Sequence, residues 1–167
     1  MKMRYLILTL SLLFFIKSNG QENEKMKDNF IGKWEYIKTV DKEDKTVKFI
    51  MRKYPNGKEM KIVASGPDII INADGTYKKK FNEENTDLGN WRILSDTEIE
   101  YELLTPMNSR GGKLIKQTQK FVKNRWKKDG KGNYTEKIKE KIISITDSEM
   151  KVERLKDYLL IYKRISE

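Results

Sequence analysis

Turn signals interrupt this chain every ~8–12 residues from Gly32 to the C-terminus, and the segments between them are short and strand-like. Pro55-Asn56-Gly57, Ser65-Gly66-Pro67 and Asn72-Ala73-Asp74-Gly75 are the plainest signals. Proline presets φ in such turns and glycine accepts positive φ. The intervening segments are 34–38, 46–54, 59–64, 69–71, 76–81, 91–94, 98–104, 114–126, 134–145, 150–155 and 158–165. Residues 114–126 and 134–145 are expected as long strands joined by a glycine-bearing turn. The lysines and glutamates of 134–145 would suit a helix, but Ile138, Glu140 and Ile142 keep a period of two. Only 21–29 reads as helical. The pattern is that of an all-β domain, either barrel or sandwich.

The N-terminus has a different character. Lys2 and Arg4 precede an apolar run over residues 6–16, and Ser18-Asn19-Gly20 supplies small residues before Gln21. The run is shorter than the ~20 residues that span a bilayer. It reads as a signal peptide over residues 1–20, which predicts export to the periplasm or beyond and a single mature domain over residues 21–167. The whole chain carries a formal +10, and loss of Lys2, Arg4 and Lys17 with the leader leaves +7. Lysines and glutamates are read as interleaved on solvated strand faces, a pattern that serves solubility. On that reading nucleic acid is not a partner, and membrane contact ends with the cleaved leader. Within Lys78-Lys79-Lys80, alternate side chains of a strand face opposite ways and cannot form one basic stripe.

Composition removes several chemistries. The chain has no Cys and no His, so disulfides, thiol or imidazole catalysis and His/Cys metal sites are excluded. Asp41, Glu43 and Asp44 lack the central glycine and distal glutamate of a calcium loop. No cofactor, no metal and no catalytic residue is expected, and the chain reads as a non-enzyme. Glu98, Glu100 and Glu102 share one strand face, opposite Ile99, Tyr101 and Leu103. The glutamates are expected in solvent or paired with basic neighbours.

Phe30-x-Gly32-x-Trp34 resembles the opening signature of the lipocalins and fatty-acid-binding proteins, the calycin group. Asp74-Gly75-Thr76-Tyr77, Gly89-Asn90-Trp91 and Tyr162-Lys163-Arg164 extend the likeness to small bacterial lipocalin-like domains. The resemblance implies an antiparallel up-and-down β-barrel of roughly 8–10 strands with a short N-terminal helix. It implies that Gly32, Trp34 and Arg164 close one end, with the guanidinium over the indole. Two family features are absent. Thr146-Asp147 is followed by Ser148 where the family has Tyr, and there is no C-terminal Arg-x-Tyr pair for a fatty-acid carboxylate. The function so implied is non-catalytic binding of a small apolar or amphipathic molecule inside the barrel. Tyr36, Trp91, Tyr101 and Trp126 are the candidate lining residues, each also suited to plain core. The rival is a filled barrel acting on another envelope protein as an inhibitor or structural module.

Overall fold

The computed structural model of the chain describes residues 27–54, 56–122 and 124–166. The expected leader and residues 21–26 of the expected helix lie outside the described residues, and residues 27–30 form one helical turn. Eleven strands follow: β1 (Gly32–Asp41), β2 (Phe49–Lys53), β3 (Glu59–Val63), β4 (Asp68–Ile71), β5 (Thr76–Lys80), β6 (Thr86–Ser95), β7 (Glu98–Pro106), β8 (Lys127–Lys128), β9 (Asn133–Ile145), β10 (Glu149–Arg154) and β11 (Tyr158–Ile165). One helix, α1 (Arg110–Thr118), lies between β7 and β8.

Eight of the strands form a ring in the order β1-β4-β5-β6-β7-β9-β10-β11, and β11 pairs back onto β1. Every pairing is antiparallel. This is an up-and-down barrel, and closure leaves the ring without a free edge. Register slips bend the wall between Tyr36 and Lys38, between Ile93 and Ser95, and between Lys151 and Val152. The β2–β3 hairpin and β8 stand outside the ring.

Alternation along each strand sends one residue set into the barrel. Trp34, Ile69, Ile71, Tyr77, Trp91, Ile99, Tyr101, Ile142, Met150, Val152, Leu160 and Tyr162 form one buried cluster, with Phe30 beneath them. At one end Trp34 and Arg164 are direct partners across β1 and β11. The guanidinium carbon of Arg164 lies 4.3 Å from the Trp34 ring centroid. The guanidinium donates to the backbone oxygens of Ile31 and Asn29, each at 2.5 Å. Its Nε is buried with no partner among the described residues. The Trp34 indole N–H donates to the Phe30 carbonyl at 2.9 Å. The chain entering β1 is thereby pinned under the barrel. Gly32 is needed at this point because its φ is +140° and a Cβ would meet Arg164 at 2.9 Å. Gly89 meets a harder limit, since a Cβ there would lie 1.9 Å from the Glu102 carbonyl oxygen.

Within 114–126, expected as a strand, the described residues 114–122 and 124–126 are instead the end of α1, a turn and a loop. Ser109 caps the helix, its Oγ accepting from the Gly112 N–H at 3.1 Å. Leu114, Ile115, Thr118, Phe121 and Val122 recur at helical spacing, and the Lys and Gln residues between them favour a helix. The Phe121 and Val122 N–H groups both donate to the Thr118 carbonyl, so a further turn follows the helix.

Candidate binding site: a charged layer across the barrel

The lower half of the barrel is filled by its own side chains. Trp34, Phe30, Ile71, Ile99 and Met150 are among its fully buried members. Above them sits a tier of tyrosines. Tyr77 and Tyr101 meet edge to face at 4.7 Å, and Tyr36 and Tyr162 do so at 6.1 Å. Burial is the main cause that pushes the Tyr77, Tyr101 and Tyr162 hydroxyls well above the ordinary phenol range, and the Glu140 carboxylate adds to it in all three.

Charge enters at the same level, with Glu140 the register partner of Ile99 on β7. On β5, Tyr77 and Lys79 point inward while Lys78 is exposed and Lys80 half-buried. Lys79 Nζ reaches Glu140 Oε1 of β9 at 2.6 Å. In the ring, β5 and β9 stand three strands apart, so this ion pair spans the lumen. The lysine side chain is 7% exposed and that of Glu140 22%. Lys79 Nζ also sits 3.6 Å from the Tyr101 ring centroid, a close cation–π contact. Burial pulls the Lys79 ammonium below its usual range, while Glu140 holds it up. Asp87, opposite Lys79 in the β5–β6 register, is half-buried and its carboxyl is pushed up by that burial, with Glu136 adding to the rise. The arrangement offers a desolvated cation, carboxylates and aromatic faces at one level. It can hold a polar head group while the aromatic tier covers an apolar body.

The structure distributes the four sequence candidates unevenly. Tyr101 lies at the centre of the charged layer. Trp91 is its register partner on β6 but belongs to the floor, packed against Phe30 and donating its indole N–H to the Asn72 carbonyl at 3.0 Å. Tyr36 lines the upper half, its hydroxyl 2.8 Å from Thr39 Oγ1. Trp126 stands just before β8, beside Glu136 of β9. Its indole donates to Glu136 at 3.0 Å, and it lines a surface cleft of about 920 Å³ together with Lys116, Lys120 and Val122. Lys79, Glu140 and Asp87 were not among the candidates. A signal for Glu140 was present, because a charge between Ile138 and Ile142 on one strand face is an anomaly in an apolar stripe.

The three glutamates of β7 lie on the outer wall. Glu100 bonds Arg92 at 2.8 Å and Lys137 at 3.3 Å, and Glu98 meets Lys139 at 3.5 Å. These are wall-stiffening contacts between neighbouring strands, remote from the lumen.

No family model and no curated protein sequence matches the chain. Among solved structures it is similar to a lipocalin-like protein from Bacteroides uniformis, at 15% identity and a TM-score of 0.43, over 82% of this chain and 99% of that one. It is also similar to an uncharacterized protein from Bacteroides eggerthii, at 18% identity and a TM-score of 0.42, over 81% and 99% of the two chains. The closure of eight strands stands on the pairing within this chain itself, and that pairing makes it an antiparallel up-and-down β-barrel.

Proposed function

We propose that this chain is an exported, non-catalytic binding protein that holds a small amphipathic molecule in the upper half of its barrel. The polar head sits at the Lys79–Glu140 layer and the apolar body lies against Tyr36, Tyr101 and Tyr162. The observation that carries this reading is the ion pair across the lumen. A buried ion pair is commonly no more stabilising than apolar residues of the same volume. Stability alone therefore gives little reason to keep charge there. Barrel mouths are natural small-molecule sites. An anionic head would compete with Glu140 for Lys79, and a cationic one would compete with Lys79 for the carboxylates.

The test is titration of the purified mature chain with a fluorescent anionic amphiphile, 1-anilinonaphthalene-8-sulfonate, followed by displacement with fatty acids and with alkylamines. Saturable binding that weakens at least tenfold in Lys79→Met is expected for an anionic head. Displacement by alkylamines alone would assign a cationic ligand. An unchanged signal in Lys79→Met, together with native mass spectra free of small molecules, would remove the lumen site.

A second reading has its own observation. Trp34, Tyr101 and Tyr162 are each almost wholly buried, so much of the interior is already occupied. A barrel filled in this way acts through its surface, on another envelope protein.

A further inference from the structure

The net positive charge is concentrated at one place in the fold. Between Glu102 and Asp129 the chain contains no acidic residue and eight lysines and arginines. This stretch leaves the barrel at the end of β7, forms α1 and the loop after it, and returns through β8 to β9. It corrects the expectation of evenly interleaved charge. Apolar side chains stand out among these cations. Phe121 is 77% exposed, Leu114 59% and Val122 41%. Leu114 and Phe121 are seven residues apart, two turns along a helical path. The exposed Lys113, Lys116 and Lys120 flank them.

A second element at the same end repeats the composition. β1 ends at Asp41 and β7 ends at Pro106, both away from Trp34 and its closed end. The β2–β3 hairpin leaves from the first of these. Ile50 is buried, whereas Phe49, Met51 and Val63 are exposed, Val63 at 67%. Phe49 pairs with Val63, and Met51 with Lys61, so all four lie on one face. Lys61 Nζ sits 4.3 Å from the Phe49 ring centroid. Lys53 and its partner Glu59 share that face, Lys48 and Arg52 lie on the other, and Glu59 is the only acid within residues 48–63.

We propose that the open rim of the barrel, through the β7–β9 excursion and the β2–β3 hairpin, docks on a bilayer containing anionic phospholipid. Charge complementarity selects an anionic surface. The exposed aliphatic groups select lipid over nucleic acid, because Leu114, Val122 and Val63 offer nothing to stack on a base but partition into the acyl boundary. This rim contact is independent of any ligand in the lumen, and it replaces the expectation that membrane contact ends with the leader.

The experiment is sedimentation of the mature chain with extruded vesicles. Vesicles with 30% phosphatidylglycerol should bind at least tenfold more tightly than pure phosphatidylcholine, and 0.5 M salt should weaken that binding. The variant Leu114→Ser/Phe121→Ser should lose at least fivefold, and Lys116→Glu/Lys120→Glu tenfold or more. These side chains are solvent-exposed, so both variants should keep the wild-type tryptophan emission and melting temperature. Equal binding to neutral and anionic vesicles, or none, overturns the proposal. So does tighter binding to single-stranded DNA than to anionic vesicles, or full binding by the serine variant.

Discussion

Glu140→Gln removes one charge of the cross-lumen pair while keeping shape and a polar oxygen. Lys79 then stays in place as a cation with 7% of its side chain exposed. Removing one partner of a buried pair costs about 3–5 kcal/mol. Two contacts reduce that figure here. The Tyr101 ring remains 3.6 Å from Nζ, which is worth about 2 kcal/mol in a desolvated setting. Asp87 stays opposite on β6. The expected loss is therefore about 1–3 kcal/mol, or about 3–10 °C in melting temperature for a domain of this size. The loss should shrink on the alkaline side. Lys79 has a folded pKa below its unfolded value, so the penalty of its charge is present below the folded pKa and fades as pH rises from there toward about 10.5. Urea unfolding followed by tryptophan emission is the assay, because Trp34 and Trp91 lie in the barrel floor. Lys79→Met/Glu140→Leu is the control, since replacing both charges with apolar groups should leave stability within about 1 kcal/mol of wild type or raise it. A single-variant loss below about 0.5 kcal/mol would mean that the pair is effectively hydrated. An equal loss in the single and double variants would mean that packing, and not charge, sets the effect.

Three further outcomes follow from the same geometry. Arg164→Met removes two carbonyl contacts and the indole contact at the closed end; a loss of about 3 kcal/mol is expected, and Arg164→Lys should recover less than half of it in thermal melts because one ammonium cannot fork to both oxygens. Gly89→Ala should prevent folding or lower the melting temperature by more than about 10 °C, since the new methyl would overlap the Glu102 carbonyl and part β6 from β7; a soluble variant with an unchanged circular dichroism melt would refute that contact. Tyr77, Tyr101 and Tyr162 have folded pKa values raised by burial, so the folded state keeps their protons, and stability should fall as pH rises above about 10, where the unfolded phenols ionise. Absorbance at about 295 nm should show these three ionising together with unfolding, and early ionisation in the folded state would contradict their burial.

The barrel was legible because its strands are local objects. Asp74-Gly75 sits between β4 and β5, and Ile69-Ile70-Ile71 has no helical reading of that length. Ile138, Glu140 and Ile142 kept the period of two that the helix-prone composition of β9 obscured. Residues 114–126 were misread for the opposite reason: Phe121, Val122 and Trp126 have strand propensity, yet the spacing from Leu114 onward is helical and Ser109 supplies a cap. The lumen pair was beyond local reasoning. Lys79 and Glu140 are 61 residues apart, and only closure of the ring places them face to face. Trp126 illustrates the same limit, because only the pairing of β8 with β9 brings its indole to Glu136.

Stability and binding make opposite demands on Lys79. If the upper lumen were only a core, Met at position 79 and Leu at position 140 would fill it as well or better, since apolar groups avoid the desolvation that a buried ion pair must overcome. The floor of this barrel follows that rule in Ile71, Ile99, Ile142 and Met150, with the Arg164 guanidinium over Trp34 at its closed end. The upper tier breaks it where Lys79, Asp87, Glu140 and the Tyr101 ring converge, with Glu136 close enough to raise both Asp87 and Tyr77. Lys79→Met/Glu140→Leu therefore separates the two demands in a single molecule. A protein that is equally or more stable but no longer binds an amphiphile would locate function in the charged layer. One that is equally stable and unchanged in every interaction would make that layer an incidental feature of a filled barrel.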